Sequence, residues 1–255
     1  MNGFASYPSL QGRVSFVTGG GSGIGASIVE HLCAQQARVA FVDIDRGASE
    51  RLVETIKGRG QSAPLFLPCD LRDIAALRSA VAEIGTRLGP IRILVNNAAN
   101  DERHSLESVT PEFWDDRFAV NLRHQFFAAQ AVAPGMAAAG GGSIVNFGSV
   151  SWIVGQGGMP AYLTAKAAVA GLTRALARDL GPMSIRVNCI VPGWIMTERQ
   201  IQKWLTPEGE QELMRRQCLK RKLLPEDIAR VVLFFAADDS SACTNQSYIV
   251  DGGWV

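Results

Sequence analysis

The sequence predicts a doubly wound α/β fold: one domain over residues 1–255, with a seven-stranded parallel sheet covered by helices on both faces. Three observations predict it. Short β-rich apolar runs alternate with longer segments of helical period, a glycine-rich turn follows the first strand, and no linker, repeat or composition break divides the chain.

The strands are read at residues 14–17, 39–42, 64–67, 91–95, 143–147, 185–190 and 248–250. Each is a four- to six-residue run or shorter, rich in Val, Ile, Leu and Phe, as strands buried on both faces require. Between them, helical periodicity marks 26–37, 48–59, 73–88, 111–139, 161–180 and 225–237. The one long irregular stretch, about 192–222, is rich in Gln, Glu, Trp and Arg and reads as a lid over a site.

Composition excludes several classes. The formal net charge of +1 gives no electrostatic case for nucleic acid or a membrane surface, and 47% apolar residues exclude disorder as the default. No apolar run is long enough to span a bilayer, and the first residues lack the order of a signal peptide, so a soluble cytoplasmic protein is expected. Cys33, Cys69, Cys189, Cys218 and Cys243 are scattered without a C-x-x-C pair, and histidines are few, so reduced thiols and no metal are expected.

The first strand runs into Gly19, Gly20, Gly21, Ser22, Gly23, Ile24 and Gly25, and a helix-like segment follows at once. Glycines let the backbone approach a pyrophosphate, whose charge meets the N–H groups and dipole of the helix N-terminus. The second strand ends at Asp43, eighteen residues beyond Gly25, where a carboxylate can accept from an adenosine ribose and repel a 2′-phosphate. A Rossmann-type site for NAD rather than NADP is predicted, with Arg46 the nearby cation able to blur the preference.

Tyr162 and Lys166 open an Ala-rich helix, and their four-residue spacing puts them on one face, a turn apart. A phenol with a reference pKa near 10 is a poor base at neutral pH, and a neighbouring ammonium favours its anion. Ser149 lies at the C-terminal end of the fifth strand, the sheet edge where ligands bind, and can hydrogen-bond a substrate oxygen. His31 and His124 are read as structural.

With the glycine turn, Asn96–Asn97–Ala98–Ala99, Asn121, Ser149, the Tyr162/Lys166 pair and Pro192–Gly193 in this order, the chain closely resembles the classical short-chain dehydrogenase/reductases over essentially its whole length. The resemblance implies that Tyr162 exchanges a proton with the substrate hydroxyl, that Ser149 orients that oxygen, and that Asn121 holds a water relaying the proton outward. It implies that Lys166 binds the nicotinamide ribose and lowers the Tyr162 pKa. It further implies that Asp70 meets the adenine, and that Leu71, Asn97, Pro192, Gly193, Ile195 and Thr197 line the cofactor. Ala99 departs from the family's usual glycine.

For the substrate, Asn100, Ser151, Trp152, Trp194 and Arg199 lie beside or beyond the catalytic strands, among Asp101, Glu102, Arg103, His104, Gln156, Glu198 and Gln200. That polar and aromatic mixture suits a sugar better than an acyl chain or steroid. Residues 7–10, 121–124, 146–152 and 203–210 are similar to the bacterial aldose 1-dehydrogenases of this family, D-xylose type foremost, with L-arabinose, galactose and fucose enzymes as relatives. The resemblance implies oxidation of the hemiacetal at C1 to a lactone. Another secondary alcohol or ketone, such as a polyol or 3-oxoacyl substrate, and a non-catalytic NAD-binding protein stay open as alternatives. A homotetramer is expected from the resemblance, from the Ala-rich segments 126–139 and 161–177, and from a C-terminal Trp254 too large to leave in water.

Overall fold

In the computed structural model, which describes residues 4–255, seven parallel strands form one sheet. They are β1 (Val14–Thr18), β2 (Arg38–Asp43), β3 (Leu65–Pro68), β4 (Ile91–Asn96), β5 (Gly142–Phe147), β6 (Ile185–Pro192) and β7 (Ser247–Val250), in the order β3-β2-β1-β4-β5-β6-β7. The alternation of strand side chains divides the core in two. Val17, Val39 and Phe41 face one layer, where α1 (Gly23–Ala34), α2 (Arg46–Gly58) and α9 (Pro225–Ala236) pack. Phe16, Ala40 and Val42 face the other, against α3 (Ile74–Leu88), α5 (His124–Ala138) and α6 (Pro160–Leu180). No helix among the described residues is long and apolar enough to cross a membrane.

Caps written in the sequence start several helices. Asp45 accepts from Ala48 N and Asp73 from Ala75 N and Ala76 N, while Pro160 and Pro225 occupy first-turn positions where no N–H is needed. The first helix begins at Gly23, three residues before the periodicity suggested, because glycines of the turn themselves form its first turn.

Two regions depart from the sequence reading. The segment read as one helix over 111–139 is α4 (Pro111–Phe118) and α5 joined by a π-helical turn, Ala119–Arg123, in the middle of which sits Asn121. The stretch read as irregular holds two helices, α7 (Glu198–Lys203) and α8 (Pro207–Arg216). Periodicity missed them because α7 buries no residue and α8 only Leu213. Their caps were legible: Thr197 accepts from Gln200 N, and Thr206 before Pro207 accepts from Gly209 N.

A chain of buried amides crosses the sheet below the site. Asn96 Nδ2 donates to Asn146 Oδ1 at 2.9 Å, Asn146 Nδ2 donates to Thr173 Oγ1 at 3.1 Å, and all three residues are fully buried. It registers β4, β5 and α6 by groups that have no water to turn to. Asn146→Ala should therefore lower stability by about 1–3 kcal/mol, read from the urea midpoint at unchanged slope.

Candidate active site

The loops at the C-terminal ends of the strands surround a cleft of about 1490 Å³. It opens where the chain, having laid β2 and β3 outside β1, returns to place β4 on its other side. One wall is the glycine turn. Gly19 has φ of +66°, and a Cβ on Gly25 would lie 1.9 Å from the Gly19 carbonyl oxygen, so neither position has room for a side chain. Asn97 Nδ2 donates to Thr18 O and Gly19 O at 3.0 and 2.9 Å, binding the loop after β4 to the turn. The free N-terminus of α1 faces the cleft through Ser22, Gly23 and Ile24.

Asp43 closes the outer end. Its Oδ2 accepts from Gly21 N at 2.8 Å and its Oδ1 from Asp45 N at 2.9 Å, which fixes the carboxylate beside the turn. Asp70 and buried Leu71 continue this wall, with the Arg72 guanidinium holding the Asp70 carboxyl below its ordinary range. Arg46 is not on the wall; it pairs with Glu50 at 3.9 Å, and Arg51, five residues further along α2, is the cation of that helix that lines the cleft. Exposed Ile44 offers an apolar edge there that composition gave no means of singling out. Glycine cradle, helix N-terminus, the Asp43 carboxylate beside the turn and an apolar edge fit a nicotinamide dinucleotide, and no cluster of metal-ligating side chains is found among the described residues.

At the inner end, β5 delivers Ser149 and α6 presents Tyr162 and Lys166. The Ser149 hydroxyl accepts from Ser151 N at 3.2 Å and shares a hydrogen bond with the Ser151 hydroxyl. Lys166 is 2% exposed; its ammonium donates to Phe147 O at 2.8 Å and lies 5.8 Å from the centre of the Tyr162 ring. Burial pulls the Lys166 pKa down to about 8. Burial also pushes the Tyr162 phenol up to about 12, with the Asp101 charge adding to the rise and the Ser149 hydrogen bond and Arg103 opposing it. In the free protein, desolvation of the anion outweighs the lysine expected to favour it, whose ammonium is engaged by a carbonyl.

Asn121 lies behind the cleft, fully buried. Its Oδ1 accepts from Asn100 N at 2.9 Å, and its Nδ2 donates to Asn100 O at 3.1 Å and Arg117 O at 2.9 Å. The side chain is thus a clamp on the loop after β4. His124, also fully buried, donates from Nε2 to Ala98 O at 3.2 Å on the same loop, and burial holds it neutral with a pKa near 3.

The remaining wall is formed by the loop after β4 and the segment that follows β6, where the substrate side and its lid are expected. Asn100, Ser151, Trp194 and Arg199 line the cleft as the sequence reading had them, and Pro192, Gly193, Ile195 and Thr197 carry the chain from β6 across it. The Thr197 methyl packs where a Cβ on Gly23 would come within 3.1 Å, so the lid begins directly over the glycine turn. Trp152 is corrected: it is 39% exposed and off the cleft wall, because the tight 3₁₀ turn Val150–Trp152 sends it away from the side that Ser151 takes. Trp254, read from the sequence as too large to leave in water and as a subunit contact, lines the cleft. Asp101, Arg103, Gln156, Gln200 and Trp204 join the wall without having been chosen as site residues. Their signal was polarity in loops beside the catalytic strands, which does not say which side chains turn inward.

Comparison with known proteins agrees with this geometry. The family described as enoyl-(acyl carrier protein) reductase matches residues 19–255. The chain is 51% identical over 98% of its length to the protein named "Probable galactose dehydrogenase GalD" of Rhizobium meliloti, covering 97% of that relative. It is 49% identical to D-xylose 1-dehydrogenase of Caulobacter vibrioides, covering 98% of both chains. The chain belongs to the short-chain dehydrogenase/reductase family. Among solved structures, a 7α-hydroxysteroid dehydrogenase complexed with NADH and 7-oxo glycochenodeoxycholic acid superposes with a TM-score of 0.92 at 31% identity, over 97% of this chain and 96% of that one. Membership makes this protein an oxidoreductase with a nicotinamide dinucleotide site.

As a member of the family with a phenol held at about 12 when nothing is bound, the free protein should show no Tyr162 phenolate at ordinary pH. A difference titration at 295 nm between wild type and Tyr162→Phe should stay flat up to about pH 10.

Proposed function

We propose that the protein is an NAD-dependent aldose 1-dehydrogenase, converting a cyclic pentose or hexose to its lactone. The observation that carries the reading is the wall above Tyr162: Asn100, Asp101, Arg103, Arg199 and Gln200 converge there with the Trp194 and Trp204 faces. Hydrogen-bonding groups set against aromatic rings suit a sugar, whose hydroxyls lie around a C–H surface. The relatives named for D-xylose and galactose support it.

The dinucleotide supplies the acceptor for the C1 hydride. Tyr162 Oη takes the anomeric hydroxyl proton, and Ser149 Oγ orients the same oxygen. Lys166 contributes the buried cation that favours the phenolate and would hold the nicotinamide ribose. Asn121, besides clamping Asn100, would by the family resemblance hold a proton-relaying water. Asp43 would accept from the adenosine ribose hydroxyls and oppose a 2′-phosphate, which supports NAD over NADP; Arg51 is the counterweight.

The readout is NADH absorbance with aldoses, polyols and acyl ketones. At least one of D-xylose, L-arabinose, D-galactose and L-fucose should be oxidised, with sharp differences between epimers, since one misplaced hydroxyl leaves a buried partner unpaired at about 1–3 kcal/mol. Polyols or acyl ketones outrunning every aldose would overturn the sugar assignment. Tyr162→Phe should lose about 10²-fold or more in kcat. NAD should be preferred, and Asp43→Ala should narrow the gap by about 1–3 kcal/mol; equal kcat/KM for NAD and NADP in wild type would overturn the cofactor assignment.

A homotetramer is part of the proposal. The Ala residues of α5 and α6 supply it only in part, because Ala128, Ala129, Ala165 and Ala177 face the core. The exposed edge strand β7, with Tyr248 and Ile249 open to solvent, adds a second apolar surface. Light scattering should return a mass near four times the 27.4 kDa chain.

A further inference from the structure

Most cations at the end of the cleft away from the glycine turn are already matched. Arg199 pairs with Asp101 at 3.2 Å, Arg117 with Glu102 at 2.9 Å and with Asp116, and Arg216 with Glu212. Lys203, at the end of α7, is exposed, where water and salt screen its charge. Arg103 differs from all of these. It lines the cleft and is only partly exposed, yet no carboxylate among the described residues pairs with it. The two acids that precede it in the chain are turned to other partners: Asp101 accepts from Arg199 and Gln200, and Glu102 from Arg117. The Arg103 Nε is closed off from solvent and makes no hydrogen bond, so part of this charge is desolvated without compensation.

The side chain is placed from both ends. Beside it, His104 N donates to Gly158 O at 2.9 Å and His104 Nε2 accepts from Ala161 N at 3.2 Å, which ties this part of the loop to the start of α6 next to Tyr162. At its tip, the guanidinium carbon lies 5.1 Å from the centre of the Trp204 ring on the lid side. The residue therefore runs from the neighbourhood of the phenol toward the lid, the direction in which a pyranose reacting at C1 must extend.

We propose that Arg103 is a subsite for a carboxylate at the end of the sugar remote from C1, so that the protein oxidises hexuronates in preference to the matching neutral hexoses. The proposal rests on the aldose reading for its reaction. C1 loses its hydride to the dinucleotide and its hydroxyl proton to Tyr162, the carbonyl of the lactone forms at C1, and the C6 carboxylate passes through unchanged, contributing binding alone. A carboxylate suits the site better than a phosphate ester. One guanidinium offers the two parallel N–H bonds that a carboxylate accepts and balances its single charge, whereas a phosphate carries close to two.

The test compares D-galacturonate with D-galactose and D-glucuronate with D-glucose at fixed ionic strength. At least one uronate should exceed its neutral partner about tenfold or more in kcat/KM, the difference lying in KM. Arg103→Gln should erase that preference while changing D-xylose, which has no C6, by less than about threefold; Arg103→Lys should keep a few-fold preference. Melting temperatures show that each variant folds. Uronates no better than neutral hexoses, or an Arg103→Gln variant that loses D-xylose and uronates alike, would overturn the subsite and leave Arg103 as an anchor for the lid through Trp204. Hexose 6-phosphates outrunning the uronates would overturn the choice of carboxylate. A second readout needs no turnover: in calorimetric titrations of protein saturated with NADH, D-galacturonate or D-glucuronate should bind about tenfold tighter than its neutral partner, and only with Arg103 or Lys at this position. That selectivity in a protein that oxidises no aldose would retain the subsite and sink the aldose dehydrogenase reading; its absence would overturn the subsite.

Discussion

The contact on which the site depends is the approach of the loop after β4 to the turn after β1. Asn97 donates into Thr18 O and Gly19 O, Ala98 N donates to Thr18 Oγ1, and Ala98 packs where a Cβ on Gly19 would sit at 2.8–2.9 Å. Parallel pairing sends β1 and β4 to the same edge of the sheet, and the chain crosses from one to the other only after building β2 and β3. The two loops therefore lean to opposite sides, and the cleft is the gap between them. Asn97 holds the floor of that gap closed while its upper part stays open for a dinucleotide.

The site is rigid on one side and held by surface polar contacts on the other. Below it, buried polar groups have fixed partners: Asn96 with Asn146, Asn146 with Thr173, Lys166 with Phe147 O, Asn121 with Asn100, His124 with Ala98 O. Each was desolvated on folding, and each would cost more to leave unpaired than it contributes when paired, so the arrangement is selective rather than strongly stabilising. Above it, the lid is tethered by Asp101, Arg199, Gln200 and Trp194, whose partners can be exchanged for water. Burial has a second consequence. It pushes the Tyr162 phenol up and the Lys166 ammonium down, each toward its uncharged form, so the phenolate–ammonium pair is disfavoured until charge is rearranged around it.

Much of this was legible in the sequence because it depends on local geometry. The strand–turn–helix order, the place of Asp43 at the end of β2, and the helical spacing of Tyr162 and Lys166 each follow from backbone periods, and the order of motifs along the chain gave the family. The seven strands and the two-faced cover follow from the apolar runs, since only a strand buried on both sides is apolar at every position. The sequence by itself also settled which residue types reach the cleft from β1, β2, β5 and the start of α6.

Only the tertiary structure decided matters that depend on which way a side chain turns or on a small balance of packing. A tight turn sends Trp152 outward while its neighbour Ser151 faces in, and Arg51 rather than Arg46 reaches the cleft, because residues a few positions apart on a helix or turn point in different directions. The π-helical turn at Asn121 is one extra residue in a helix that periodicity reads as continuous, and the apolar pattern on either side carries no mark of it. Helices α7 and α8 bury almost nothing, so they are set by caps and, for α7, by Asp101, ninety-eight residues away from Arg199 in the chain. The height of the Tyr162 pKa is likewise a sum of burial and of charges brought from separate loops, and no spacing along the sequence encodes that sum.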